Sequence, residues 1–256
     1  MLRRKGDGLN SSGTTIAKRG RAKALVAATA AAAMLAIGLG EAQAATANLP
    51  RRTIPLPLHG TTLPVPVGGE VTYSAGDPAA VDGNLVADLA GAQQQATAVL
   101  AALLNRDDRC GDRLTVKDGR LGARDRALRV TGVVDYGRVA CVGGRSMTVV
   151  PQTAYDVDML LHPVVAARSL RVRAEVLGLR PHGGGELPGS LDGAMRQTLG
   201  GLVSERVGEL FPAGSAPADV VLRSLSFDEA ASGALSARLE GSGSLPRPLL
   251  ERLLKP

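Results

Sequence analysis

Apolar residues along the chain fall into three kinds of pattern. An uncharged, Ala- and Leu-rich run from Ala24 to Gly40 has no polar face at all. Further on, Leu85, Leu89, Ala92, Ala96, Val99 and Leu103 recur at alternating spacings of four and three. That spacing predicts one apolar stripe along an amphipathic helix of about five turns or more. Asp77-Pro78 ahead of it supplies an N-cap and a first-turn proline, and Gln93, Gln94 and Gln95 fall mostly off the stripe. The helix is expected to end before the charged turn Asn105–Arg109.

The third pattern is alternation. Leu114–Val116, Leu128–Val130, Val134–Tyr136, Val139–Cys141, Tyr155–Leu161 and Leu170–Val176 place apolar residues at every second position, as antiparallel strands with one buried face do. Gly119, Gly143-Gly144 and His162-Pro163 punctuate them, and a Gly-rich connector runs from Pro181 to Gly189. A second helix is predicted from about Ser190 to Phe211, with Leu191, Met195, Leu199, Leu202, Val203, Val207 and Leu210 on one stripe and Pro212 as its stop. A closing hairpin spans Val220–Phe227 and Leu235–Leu239, and the tail Pro248–Leu254 reads as a short helix. Strands joined as hairpins, rather than alternating one-for-one with helices, define an α+β class. Two helices are expected to pack on an antiparallel, strongly twisted sheet.

The N-terminal run changes the reading of charge. Residues 1–44 combine Arg3, Arg4, Lys5, Lys18, Arg19, Arg21 and Lys23 with the apolar run and a small-x-small site at Ala42-Gln43-Ala44. These are the three parts of a secretory signal peptide. An uncleaved anchor is the competing reading, since the apolar run is short for a bilayer core roughly 30 Å thick. No Cys follows the run, which excludes a lipoprotein anchor. The segment holds seven of the 30 basic and two of the 24 acidic residues, so the remainder carries a net charge of only +1. With five Tyr and Phe residues in all and no Trp, that balance argues against a nucleic-acid partner. Arg outnumbers Lys 25 to 5 in an Ala- and Gly-rich chain, which suggests a GC-rich bacterial genome. Residues 45–69 are proline-rich, with Leu56, Leu58, Leu63, Val65 and Val67 between the prolines. They form a polyproline-like arm, an edge strand or a flexible leader. The α+β domain is assigned to residues 70–245 and a C-terminal tail to 246–256.

Chemistry-bearing residues are sparse. Cys110 and Cys141, an even count in an exported chain, read as a disulfide. His59, His162 and His182 lie in an arm, a turn and a glycine loop, away from any nucleophile motif. Asp156 and Asp158 share one strand face but lack the further ligands a cation needs. Gly183–Gly185 precedes a helix without the Lys of a phosphate loop, and the stretch Arg106–Arg113 reads as a salt-bridged turn. The sequence assigns no catalytic residue, metal site or cofactor, and the protein is expected not to be an enzyme.

The derived order, a long amphipathic helix laid on hairpins followed by a second helix and a closing hairpin over Glu70–Leu245, resembles the tubular lipid-binding (TULIP) superfamily. The resemblance implies a periplasmic or secreted protein that binds or transfers a lipid or acyl chain. The helix stripe of Leu85, Leu89, Ala92, Ala96, Val99 and Leu103 is the expected ligand-binding surface. It is a groove if the helix packs loosely and a closed core if tightly. The alternative is an envelope adaptor that binds a partner protein through the proline-rich arm or a strand edge. N-terminal sequencing of the protein recovered from a bacterial envelope or medium is expected to begin at Ala45. A full-length, membrane-embedded product would show an anchor instead.

Overall fold

The computed structural model describes residues 44–58, 61–107, 109–143, 145–166, 169–208 and 219–255. The expected signal peptide up to residue 43, His59 and residues 209–218 therefore lie outside the description. Among the described residues, long antiparallel strands dominate and form two five-stranded sheets. The first sheet has the order β1 (Ala45–Leu58), β2 (Thr61–Tyr73), β3 (Ala79–Asp88), β10 (Leu235–Leu245), β9 (Val221–Glu229). The second runs β4 (Arg106–Asp107), β5 (Gly111–Arg124), β6 (Ala127–Val142), β7 (Arg145–Ala166), β8 (Ser169–Pro181) in sequence order. Four helices accompany them: α1 (Ala90–Gln94), α2 (Ala96–Leu104), α3 (Gly189–Gly208) and α4 (Arg247–Leu254). The α+β class with antiparallel sheets holds; the single sheet becomes two.

The long first helix does not form. Residues 79–88 are strand, and burial alternates through Ala79, Val81, Gly83 and Leu85. A spacing of four, such as Leu85 to Leu89, suits either period, and the alternation upstream decides for strand. Gly83 and Asn84 are poor helix formers, and the backbone at Asn84 is needed elsewhere. A Cβ on Gly69 of β2 would stand 2.2 Å from the Asn84 carbonyl oxygen, so the two strands approach more closely than side chains allow. Helix begins only at Ala90, and α1 and α2 are separated at Gln95. Asp77-Pro78 accordingly lies in the β2–β3 turn, not at a helix N-terminus.

Helix α2 is wedged between the sheets, and of its nine residues only Ala98 is exposed. Its Leu100 and Leu104 enter the main core with Leu114 and Val116 of β5, Val130, Val134 and Tyr136 of β6, and Tyr155, Val157 and Met159 of β7. Helix α3 closes the same core with Met195, Leu199, Leu202, Val203 and Val207, so most of its expected stripe is buried, while Leu191 is exposed. A second cluster lies under α4, where Leu250 packs on Val71, Ala79, Val81 and Leu245 of the first sheet. The Cys110–Cys141 disulfide is present, with a Cα–Cα distance of 5.5 Å, and ties the chain just after α2 and β4 to the end of β6.

Gln93 fastens the helices to both sheets. Its amide nitrogen donates to the Leu121 carbonyl of β5 at 3.1 Å and to the Gly233 carbonyl at 3.0 Å, while its oxygen accepts from the Leu235 amide of β10 at 2.8 Å. Gln93→Leu keeps the volume but strands these backbone groups, and is expected to cost about 1–3 kcal/mol. Gln94→Leu, at an exposed neighbour, should stay within about 0.5 kcal/mol. Urea denaturation of the two variants checks the difference.

Candidate functional site

The half of the β1–β2 hairpin nearest its turn is unlike the rest of the first sheet. Residues 53–58 and 61–66 pair only with each other, because β2 meets β3 from Val67 onward and β1 is the sheet edge. Directly paired residues share a face in an antiparallel ribbon. Ile54 with Val65 and Leu56 with Leu63 therefore line one face, and Pro55 with Pro64 and Thr53 with Pro66 line the other. The prolines stiffen the ribbon and withhold backbone donors. The apolar face folds over the helix pair.

There Leu58, Leu63 and Val65 are buried against Ala92 of α1 and Val99 of α2, with Val67, Leu89, Ala102, Leu103 and Leu121 half-buried around them. Coverage is incomplete, for Leu56 on the same face is 41% exposed. At the ribbon's root the pairing register shifts between Leu49 and Arg52, and Arg51 forms an ion pair with Asp88 at the end of β3. The ribbon is thus a flap: apolar beneath, irregular at its base, and held over the helices mainly by side-chain contact.

The six stripe residues part company accordingly. Leu89, Ala92, Val99 and Leu103 lie together under the flap. Leu85 sits on β3 in a separate cluster with Leu49, Val67 and Leu239. Ala96 is buried where α2 presses on β5. A Cβ on Gly119 there would meet Leu100 Cδ1 at 2.5 Å and the Thr97 Cα at 3.5 Å. The Thr97 hydroxyl accepts from the Gly119 amide at 3.0 Å, and the Asn105 side chain accepts from the Val116 amide at 2.8 Å. These bonds fix α2 on the bulge between Val116 and Asp118. One side of α2 is therefore tight core; the other is the flap-covered side.

The polar candidates are neutralised locally. Asp156 and Asp158 do share a face, in an open cleft of about 430 Å³ on the outward side of the second sheet, with Asp118, Arg120, Thr131 and Arg180. Arg129 holds Asp158 through two hydrogen bonds at 3.0 and 2.7 Å, which keep that carboxylate below its ordinary pKa. Asp156 faces His182 at 2.9 Å, and His162 faces Glu175 at 3.1 Å. No group of His, Cys, Asp and Glu suited to a metal ion occurs among the described residues. Tyr136, one of two tyrosines in the main core with Tyr155, has a bonded hydroxyl. It donates to Asp112 at 2.8 Å, and burial, then that bond, raises its pKa. The expected Arg106–Arg113 turn is instead β4 and the start of β5, and Arg113 pairs with Asp107 across the two strands at 3.2 Å. Gly183–Gly185 all adopt left-handed φ in open space, as a connector.

Sequence reasoning missed the flap and Gln93. The flap's signal was present, as apolar residues alternating with prolines at period two through Leu56–Val67. The partners of Gln93 are far apart in sequence, and no local pattern announces them.

Ala96→Leu is expected to overpack the contact with β5 and cost about 1–3 kcal/mol. Ala92→Leu, beneath a ribbon that can rise, should cost less than about 1 kcal/mol. Thermal or urea unfolding distinguishes them, and equal losses would make the flap an integral part of the core.

No protein-family model matches the chain, and no curated protein or solved structure matches it either.

Proposed function

We propose that this protein is a non-enzymatic exported binder of a hydrophobic ligand, an acyl chain or lipid, which lies between the β1–β2 flap and the α1–α2 pair. The observation that carries the reading is the flap itself. It is a two-stranded ribbon with Ile54, Leu56, Leu58, Leu63 and Val65 on one face, laid over a helix surface of Leu89, Ala92, Val99 and Leu103. A ribbon that pairs only with itself can lift without breaking a sheet. Ala92 and Ala102 beneath present only small side chains to the flap. Each methylene buried contributes about 0.8 kcal/mol, so an acyl chain of about ten carbons recovers the freedom lost on association. The disulfide suits an oxidising, exported location.

The adaptor reading through a strand edge finds less support, because the edges are guarded. Ser204 accepts from the Ala174 amide on β8, and Arg196 donates to the Val176 and Leu177 carbonyls there. At β9 the Phe227 amide is bound to the Arg126 carbonyl. Edge strand β1 carries Pro50, Pro55 and Pro57, which leave gaps in any added ladder.

Native mass spectrometry with lipid extraction, on protein taken from its own envelope, should find bound lipid. Ala92→Leu should lower its occupancy while the domain stays folded. A clean ligand-free protein that takes up neither fatty acid nor phospholipid would overturn the proposal and favour the adaptor.

A further inference from the structure

The hairpin formed by the end of β6 and the start of β7 is the most exposed apolar feature of the described chain. From Arg145 to Thr153 every residue is exposed except the half-buried Val150. Val142, Met147 and Val149 are 68, 60 and 54% exposed, more than any other large apolar side chain described. The register sorts the hairpin into two faces. Val139 pairs with Thr148 and Cys141 with Ser146 on one, while Ala140 pairs with Met147 and Val142 with Arg145 on the other. Val139 is buried and Cys141 is bonded to Cys110, so the first face is fastened to the body. The opposite face presents Val142 and Met147 outward with Arg145 beside them, and Val149 adds to it from the irregular stretch of pairing between Arg138 and Val139.

Charge identifies the occupant. Between Val139 and Tyr155 the only charged side chain is Arg145, although exposed ribbons in water ordinarily carry charges of both signs to resist self-association. Arg109, exposed beside the disulfide, adds a second cation. Neither Arg109 nor Arg145 has an ion-pair partner among the described residues. Exposed aliphatic groups flanked by unpaired arginines, with no carboxylate on the ribbon, match the boundary of an anionic bilayer, where the apolar side chains enter the headgroup region and the guanidinium groups meet phosphates. A protein partner with a comparably mixed surface gives no reason for the missing carboxylates. We propose that this ribbon docks the protein on an anionic lipid bilayer. The disulfide holds the docking ribbon six residues beyond the end of α2, so docking brings the flap-covered helices to the membrane. Docking goes beyond the binding reading and does not require a loaded groove.

The chain has no Trp, so Val149→Trp supplies a single-site fluorescent reporter. It is to be measured on protein processed by a secreting host, with the same N-terminus in every variant. With vesicles of phosphatidylglycerol and phosphatidylcholine its emission should shift to the blue and be quenched by bromine-labelled lipid. With phosphatidylcholine alone the shift should be much smaller. Met147→Asp is expected to lower co-sedimentation with the anionic vesicles about tenfold, and Arg145→Gln about fivefold. Both sites are exposed, and an unchanged melting temperature will confirm that each variant is folded. An emission indifferent to vesicles, equal response to both compositions, or variants that bind as well as the parent would each overturn the proposal. Self-association abolished by Met147→Asp, with no effect of vesicles, would overturn it in favour of contact between copies. Because the readout is docking rather than bound lipid, its failure is distinct from failure of the groove.

Discussion

Four backbone groups along the outer edge of β5 and three along β8 find their partners in side chains rather than in another strand. On β5 these are the Val116 and Gly119 amides, held by Asn105 and Thr97, the Leu121 carbonyl, held by Gln93, and the Ala123 amide, held by Glu229. On β8 they are the Ala174 amide with Ser204 and the Val176 and Leu177 carbonyls with Arg196. A sheet edge must satisfy its polar groups or lie in water. Apart from Glu229, which comes from β9, the partners lie on or at the end of helices, and this obliges α1–α2 to lie along one edge and α3 along the other. Once there, both helices turn apolar residues onto the same sheet face. The main core is therefore bounded on all sides without the sheet closing into a barrel.

This arrangement separates what was legible in the sequence from what was not. The alternation of β5 to β8, together with α3, α4 and the disulfide, was readable in place. However, β4 falls in the expected charged turn, and the segments read at 128–130, 134–136 and 139–141 are one strand. Gly119 and His162-Pro163, expected as breaks, lie within β5 and β7, where strand pairing overrides the local turn signal. The first helix was not legible. Leu85 and Leu89 satisfy a helical spacing, but the preceding alternation and the close approach of Gly69 to Asn84 make the first of them a strand residue. Helix α2 is not the amphipathic helix expected, because a helix between two sheets is apolar on nearly every side. Gln93 of α1 and Thr97 of α2 resemble surface residues in one dimension, and only their partners 22 to 142 positions away tie them into the fold. Of the six stripe residues, Leu89, Ala92, Val99 and Leu103 lie together under the flap, while Leu85 stands on β3 and Ala96 on the β5 side of α2. The proline-rich stretch supplied the missing wall.

The molecule thus carries two ribbons that leave their sheets, built to opposite rules. The β1–β2 ribbon hides its apolar face against helices and turns prolines to solvent. The β6–β7 ribbon is fastened by its disulfide and shows aliphatic groups to solvent. The short path from α2 through β4 to Cys110 links the two in the chain. Strand hydrogen bonding is the same in both; what distinguishes them is which face the body occupies.

Helix α3 reaches its position through Gly183, Gly184 and Gly185, where an added Cβ would point into open space. A tether this permissive loses much chain freedom when the helix is seated. The apolar stripe, Arg196 and Ser204, and the ion pair of Glu205 with Arg106 hold the seat. Should α3 leave, the bare edge of β8 and the apolar face of the sheet would be uncovered in one step, and these are the two surfaces from which strand-to-strand aggregation grows. The helix is thereby a cover for both surfaces at once, and its hold on the sheet is also a hold on self-association.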